Sequence, residues 1–327
     1  MNIARRFGKP ACLVWLALAG CGGTPRAGAP AEDAANDVQQ TIGASLLTLD
    51  NPFFKIIGDN LTAAAAAQGY EAIVVSADKD IARQGNQVKD FIVKNVSAIV
   101  LSPCDPRSIV PIIQEANAAG IPVFTVDIPC DQPGVKIVTQ IASDNYGGGQ
   151  EAGKAMIEAL GEAGGKVAIL HFKQAQSCLL RVQGFRDAID AHNAAGGPRV
   201  EIVTELEGGG AKDIGYKAAE DALQAHPDLR GVFAINDPSA LGAVAAAEKA
   251  NKLAQLAIVG FDGMPEGRQA IKAGRVYADP IQFPDRMGKE IVAAIVKHSR
   301  GETLPAETLI PTRLYRQADA LGDPTLE

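Results

Sequence analysis

From Thr41 onward, short apolar runs alternate with amphipathic stretches of helical length. TIGASLL (41–47) precedes a helix-length stretch over 53–68 that stops at Gly69. EAIVVS (71–76) is followed by a predicted helix over 81–95, and SAIVLS (97–102) by one over 108–119 with Gly120 as its stop. PVFTVD (122–127) ends this series, KIVTQIA (136–142) reads as a linking strand, and the pattern restarts. Helices predicted over 147–160, 177–194, 212–225, 238–250 and 265–273 then alternate with KVAIL (166–170), VEIVTE (200–205), GVFAI (231–235), AIVGF (257–261) and YADPIQ (277–282). Unbroken apolar strands joined by amphipathic helices predict parallel sheets covered on both faces. Two such runs predict an α/β fold of two doubly wound lobes. A last helix, 284–300, and the strand-like LIPTRLY (309–315) come late and must be shared between the lobes. Such repeated crossing makes a multi-strand hinge.

Ahead of Thr41 the pattern changes. Arg5, Arg6 and Lys9 precede ACLVWLAL (11–18), an apolar segment too short to span a bilayer that reads as the core of an export signal. Leu18-Ala19-Gly20-Cys21 follows and matches a bacterial lipobox, in which Cys21 is acylated and becomes the first residue of the mature chain. An ordinary export signal that happens to carry a cysteine is the alternative. Residues 1–20 are thus expected to be a signal peptide. Residues 21–40, rich in Gly, Pro, Ala and acids, form a flexible tether with a reach of roughly 25 Å. The expected location is the cell envelope, lipid-anchored, with the lipid as the sole hold on a membrane.

Composition narrows the partners. A chain of 327 residues, less its leader, suffices for two packed domains. The formal net charge is −7, and no Lys/Arg cluster follows the leader, which argues against nucleic acid as a ligand. Cys104, Cys130 and Cys178 show no metal-site spacing. Gly208-Gly209-Gly210 with Lys212 lacks the spacing and the hydroxyl residue of a phosphate loop, and no nucleophile elbow or dinucleotide fingerprint is found. Neither an enzyme nor a cofactor is expected. Gly147-Gly148-Gly149, at a helix start, reads as a place of close packing.

Ligands of open α/β sheets bind outside the carboxyl ends of the strands. Position alone therefore selects Asp50-Asn51-Pro52-Phe53-Phe54, Cys104-Asp105, Asp127, His171-Phe172-Lys173-Gln174 with Arg181, Asn236-Asp237-Pro238, Asp262-Gly263 and Gln282. Aromatic residues are 5% of the chain, so two adjacent ones in a loop stand out. Carboxylates accept hydroxyl protons in short charge-assisted bonds, arginine donates to ring and hydroxyl oxygens, and phenyl faces cover the C–H side of a sugar. The set suits an uncharged, polyhydroxylated molecule. Plainer readings stand beside this one. Asp50, Asp105 and Asp237 can cap helices, with Pro52 and Pro238 in agreement. One of Phe53 and Phe54 can staple a helix to the core. His171 can be a satisfied polar residue at a strand end. Asp127 resists such a reading, because no helix begins at Ile128-Pro129, and Asp262 does likewise.

TLDNPFF (48–54), ASDNYGGG (142–149), AHPDLRGVFAINDPSALGA (225–243), VGFDGMPEG (259–267) and IQFPDRMG (281–288) carry a resemblance to the periplasmic sugar-binding proteins of ABC importers. The ribose-binding group is the most similar, and the resemblance runs from Thr41 to about Ala318. It implies two lobes, 41–142 with 283–311 and 143–282 with 312–318, joined by crossovers near Ser143, Gln282 and Pro311. Carried over residue by residue, the ligand contacts fall on Asn51, Phe53, Phe54 and Asp127 from the first lobe. Arg181, Asn236 and Asp262 come from the second, and Gln282 from a crossover. It implies a monomer that closes on a monosaccharide or related polyol and delivers it to an inner-membrane permease. Presentation of the sugar to a membrane kinase or chemoreceptor is the alternative.

The chain departs from the ribose pattern at three places. Ile128 stands where ribose binders have an arginine, Gly208–Gly210 where they have an aromatic, and Leu47 where they have a serine. A different or larger sugar or a polyol follows, with His171, Lys173 or Gln174 as replacement contacts. Cys104 and Cys130 lie beyond strand ends that are neighbours in this fold, so they form either a disulfide or two small buried residues. Asp127→Ala and Asp262→Ala are each expected to abolish binding and leave the fold intact.

Overall fold

The structure, a computed structural model, describes residues 40–326. The export signal, Cys21 and the tether up to residue 39 lie outside the described residues. The first run comprises β1 (Gln40–Leu46), α1 (Pro52–Ala67), β2 (Tyr70–Ser76), α2 (Ile81–Val93), β3 (Ala98–Leu101), α3 (Val110–Ala118), β4 (Val123–Val126) and β5 (Ile137–Ser143). The second opens with α4 (Asn145–Leu160), β6 (Gly165–His171), α5 (Gln176–Ala194), β7 (Val200–Glu207) and α6 (Lys212–Ala225). It continues through β8 (Leu229–Ala234), α7 (Asp237–Lys249), β9 (Ala257–Val259), α8 (Pro265–Lys272) and β10 (Ala278–Ile281). The chain ends with α9 (Pro284–Ser299), β11 (Glu307–Ile310), β12 (Arg313–Arg316) and the short α10 (Gln317–Leu321).

These strands form two six-stranded sheets, ordered β11-β5-β4-β3-β1-β2 and β12-β10-β9-β8-β6-β7. All neighbours run parallel except β12, which lies antiparallel to β10. LIPTRLY is therefore two strands rather than one. Pro311, which has no N–H to donate, breaks it, and the halves join different sheets. The chain passes between the sheets after Ser143, after Ile281 and at Pro311–Thr312.

Alternation along each strand decides which helices cover which face. In the first lobe Ile42, Ala44, Val100, Phe124 and Val126 pack under α1 and α9, while Ile99, Leu101 and Val123 pack under α2 and α3. In the second, Val167, Ile169 and Phe233 face α4 and α5, while Ala168, Leu170, Val232 and Ala234 face α6, α7 and α8. Glycines let paired helices touch backbone to backbone. A Cβ on Gly149 of α4 would lie 2.1 Å from the Arg181 carbonyl oxygen of α5, and one on Gly184 would lie 2.1 Å from Tyr146 O. The close-packing role read for the Gly147–Gly149 run is met, and it seats Arg181.

Of the two readings for Cys104 and Cys130, the disulfide is not formed: both are free thiols, Cys130 buried and Cys104 half-buried. Cys130 Sγ turns to the Pro106 carbonyl at 3.2 Å, and the Cys104 amide is held by Gln84 Oε1 at 2.8 Å. Among the described residues no helix is long and apolar enough to cross a membrane.

Candidate binding site

Asn51, and not Asp50, caps α1: its Oδ1 accepts from the Phe53 amide at 3.0 Å, with Pro52 opening the helix. Both phenyl rings that follow are buried, with centroids 5.3 Å apart and planes at 87°, and both join the apolar cluster beneath α1. Asn236, and not Asp237, caps α7 through the Ser239 amide at 3.0 Å, and its Nδ2 donates to Gly210 O at 3.0 Å. Asp105 does cap its turn, accepting from the Arg107 and Ser108 amides at 3.0 and 2.7 Å. Those amides hold its carboxyl below the usual range.

Asp127 and Asp262 share an unusual backbone. Each stands just past a strand in the left-handed region, with φ of 64° and 100°, and each is 8% exposed. Such φ values in non-glycine residues cluster where surrounding structure enforces them, often at ligand sites. Their side chains differ. Arg181 Nη1 donates to Asp262 Oδ1 at 2.9 Å, and Gln282 Nε2 donates to the same oxygen at 2.6 Å. Arg181 is itself fixed: its Nε donates to Asn145 Oδ1 at 2.8 Å, its Nη1 also to Ile235 O at 2.7 Å, and its guanidinium lies 3.9 Å over the Phe261 ring. Burial raises the Asp262 pKa, opposed by Arg181 and Gln282.

No hydrogen bond from a described residue reaches the Asp127 carboxylate. Burial pushes its pKa up to about 6, with Arg181 opposing and Asp262 adding to the rise. Arg181, on α5, and Asp262, past the end of β9, belong to the second lobe, so the carboxyl ends of β4 and β9 face one another across the cleft. Cys178, one turn before Arg181, senses all three: burial pushes its thiol up to about 11, Arg181 opposes, and Asp262 and Asp127 add. Met264, just past Asp262, packs against the first-lobe cluster that contains Phe53, Phe54 and Ile128. The lobes are thus in apolar contact beside the carboxylates. Gln282 Oε1 is buried without a partner. A buried acceptor left without a partner is rare in proteins, and the Asp127 carboxylate beside the cleft likewise receives no hydrogen bond from a described residue.

The replacement contacts fare differently. His171 is buried, accepts from the Phe172 amide at 2.8 Å through Nδ1, and has its pKa lowered by burial. The charges around it are Glu205, Lys173, Glu207 and Arg186, on the β7 side of the sheet. Lys173 is exposed and pairs with Glu205 at 3.0 Å, and Gln174 is exposed. None of the three joins the Arg181–Asp262 group. The structure instead adds residues the sequence reading missed. Asn145 and Phe261 hold Arg181 in place. Phe172, one of the residues selected by position, lies beside Gly210, whose Cβ position is 3.7 Å from that ring. A groove of about 430 Å³ lined by Lys212, Leu241, Val244 and Glu266, among others, contains none of these residues.

Residues 42–303 match the family model described as a periplasmic binding protein domain. The chain belongs to the periplasmic binding protein family. Among its relatives, the D-apiose import binding protein of Paraburkholderia graminis is 35% identical over 273 residues, covering 83% of this chain and 85% of that one. The ribose import binding protein of Bacillus subtilis is 32% identical over 301 residues, covering 92% and 95%. A solved periplasmic solute-binding protein of an ABC transporter from Actinobacillus succinogenes, with bound D-allose, superposes with a TM-score of 0.80 at 25% identity, covering 87% of this chain and all of that one. As a periplasmic binding protein the chain is a solute binder and not an enzyme.

Proposed function

We propose that this periplasmic binding protein captures a neutral monosaccharide or related polyol between its lobes and presents the closed form to the permease of an ABC importer. The observation that carries the reading is the pair of buried carboxylates, Asp127 and Asp262, facing each other from opposite lobes with Arg181 beside them. A ligand drives closure only through contacts it makes to both lobes at once. Asp127 and Gln282 Oε1 offer unsatisfied acceptors to hydroxyl donors, and the Phe53–Phe54 edge and Phe172 offer apolar walls. Two carboxylates against one guanidinium disfavour an anionic ligand. Ile128 packs against the first-lobe cluster and supplies no donor, so the hydroxyl pattern recognised differs from that of a site with a second guanidinium. Lobes of 41–142 with 283–311 and of 143–282 with 312–318 would close as units about the three crossings. The relatives that import ribose and apiose support the sugar class and the transport role. Acylation at Cys21 would keep the monomeric receptor near its membrane partner. A thermal-shift panel of pentoses, hexoses and polyols tests the reading, since a ligand of the folded state raises its stability. Neutral sugars are expected to shift the midpoint and sugar phosphates to leave it unmoved; the reverse pattern would overturn the proposal.

A further inference from the structure

Beneath Asp262 lies a second pair of acids that the sugar contacts do not use. Asp237, the first residue of α7, leaves the capping of its own helix to Asn236. Its Oδ2 instead accepts from the Met264 amide at 2.6 Å, at the start of α8, where no side chain of α8's own N-cap residue does so. Asp279, on β10, is fully buried, and its carboxyl lies within hydrogen-bond reach of that of Asp237. Asp237 Oδ1 and both oxygens of Asp279 have no donor. Two glycines make room for the acids: a Cβ on Gly267 would lie 1.9 Å from Asp237 Oδ1, and one on Gly260 would lie 2.5 Å from Asp279 Oδ1. The segment between those glycines carries Asp262 and Met264, so the acid pair braces both ends of the strained loop that presents the ligand carboxylate.

Charge balance decides the protonation. Around the pair stand Asp262 on the loop, Arg181 on α5 behind it, Arg268 on α8, Tyr315 on β12 and Asp323 after α10. Arg181 is committed to Asp262, and Arg268 to Gly263 O at 2.6 Å and to Asp323. No cation forms an ion pair with Asp237 or Asp279 among the described residues. Two ionised carboxylates in contact, buried and without a counter-ion, are far costlier than one carboxylate bonded to one acid.

We propose that Asp237 and Asp279 share a single proton at neutral pH and act as a positioning pair that fixes the Gly260–Met264 loop, and with it Asp262. Burial foremost lifts Asp237 well above the carboxylate range, with Asp279 and Asp262 adding; burial and Asp262 lift Asp279 to about 6, with its hydrogen bond to Asp237 opposing, in keeping with a proton retained on Asp237. The shared proton stands independently of the sugar-binding reading, while the role toward Asp262 as a ligand contact rests on it.

The test needs no ligand. Infrared spectra of the whole protein at about pH 7 should contain a protonated carboxyl stretch, the neutral form being far above its ordinary titration range there. The part of that band due to the pair should survive in Asp127→Asn, which removes one of the other acids that burial raises, and vanish in Asp279→Asn. Amide exchange supplies the second arm. Protection of the Met264 amide should fall as pH rises in the wild type, stay high and flat in Asp279→Asn, whose amide replaces the proton, and be lost in Asp279→Leu. Asp279→Asn keeps the proposal testable if Asp279→Leu does not fold. Absence of the band in the wild type, or its persistence in Asp279→Asn with an unchanged exchange profile, would overturn the proposal while leaving the sugar reading untouched.

Discussion

Asp127 and Asp262 occupy corresponding places in the two lobes, yet folding treats them in opposite ways. Both end up past a parallel strand, with positive φ and almost no exposure. Asp262 receives Arg181 and Gln282 and becomes part of a braced network reaching Asn145 and Phe261. Asp127 receives no hydrogen bond from a described residue, and only the nearby charge of Arg181 offsets its desolvation. On the proposed sugar-binding reading, the fold builds the Asp262 half of the site and leaves the Asp127 half for the ligand to complete. A pocket arranged this way favours closure with ligand bound over closure alone.

The largest effect should come from breaking the built half. Asp262→Ala strands the buried guanidinium of Arg181, and losing one partner of a buried pair costs about 3–5 kcal/mol. Urea unfolding should show that loss together with loss of binding, which revises the expectation of an intact fold; unchanged stability would erase the distinction between the two acids. Asp127→Asn should do the opposite. Its carboxyl rises from 3.8 to about 6 in the folded state, so the folded protein binds this proton more tightly than the unfolded chain. Stability from this group is therefore highest at acid pH and declines as pH climbs from about 4 through about 6. Removing the charge should return about 2–3 kcal/mol at neutral pH, flatten that decline and abolish ligand binding.

Smaller effects sharpen the comparison. Met264→Ala deletes an apolar contact between the lobes, worth about 1–2 kcal/mol, and should loosen the unliganded closed form. Small-angle scattering should register a larger radius without ligand and the wild-type radius with it. Lys173→Ala should matter least. Its exposed pair with Glu205 is worth about 0–1 kcal/mol, and the residue stands outside the group around Arg181, so calorimetric affinity should be unchanged.

Much of this was legible in the chain. Fully buried strands such as AIVL of β3 appear as unbroken apolar runs, and the helices between them end at Gly69 and Gly120, which take positive φ. Asp127 stood out because it follows a strand with no helix to cap. Local chemistry was harder to read where neighbours compete. Asp50 and Asp237 looked like caps, but Asn51 and Asn236, one residue earlier or later, satisfy the helix ends. LIPTRLY looked like one strand because apolar content does not say which sheet a residue joins. The support of Arg181 could not be read at all: Asn145 and Phe261 are 36 and 80 residues away, brought in by the α4–α5 contact through Gly149 and by the packing of Phe261 against Gly148. The acid pair beneath the loop was hidden likewise, Asp279 being one polar residue in a strand.

The central claim is that a neutral sugar or polyol completes the half of the site left open at Asp127. Its most direct test is calorimetric titration of wild type and Asp127→Asn with the sugar that gives the largest thermal shift. Saturable binding by the wild type, and none by a variant that is folded and more stable without ligand, is the predicted result. Equal affinity in the two proteins would contradict it.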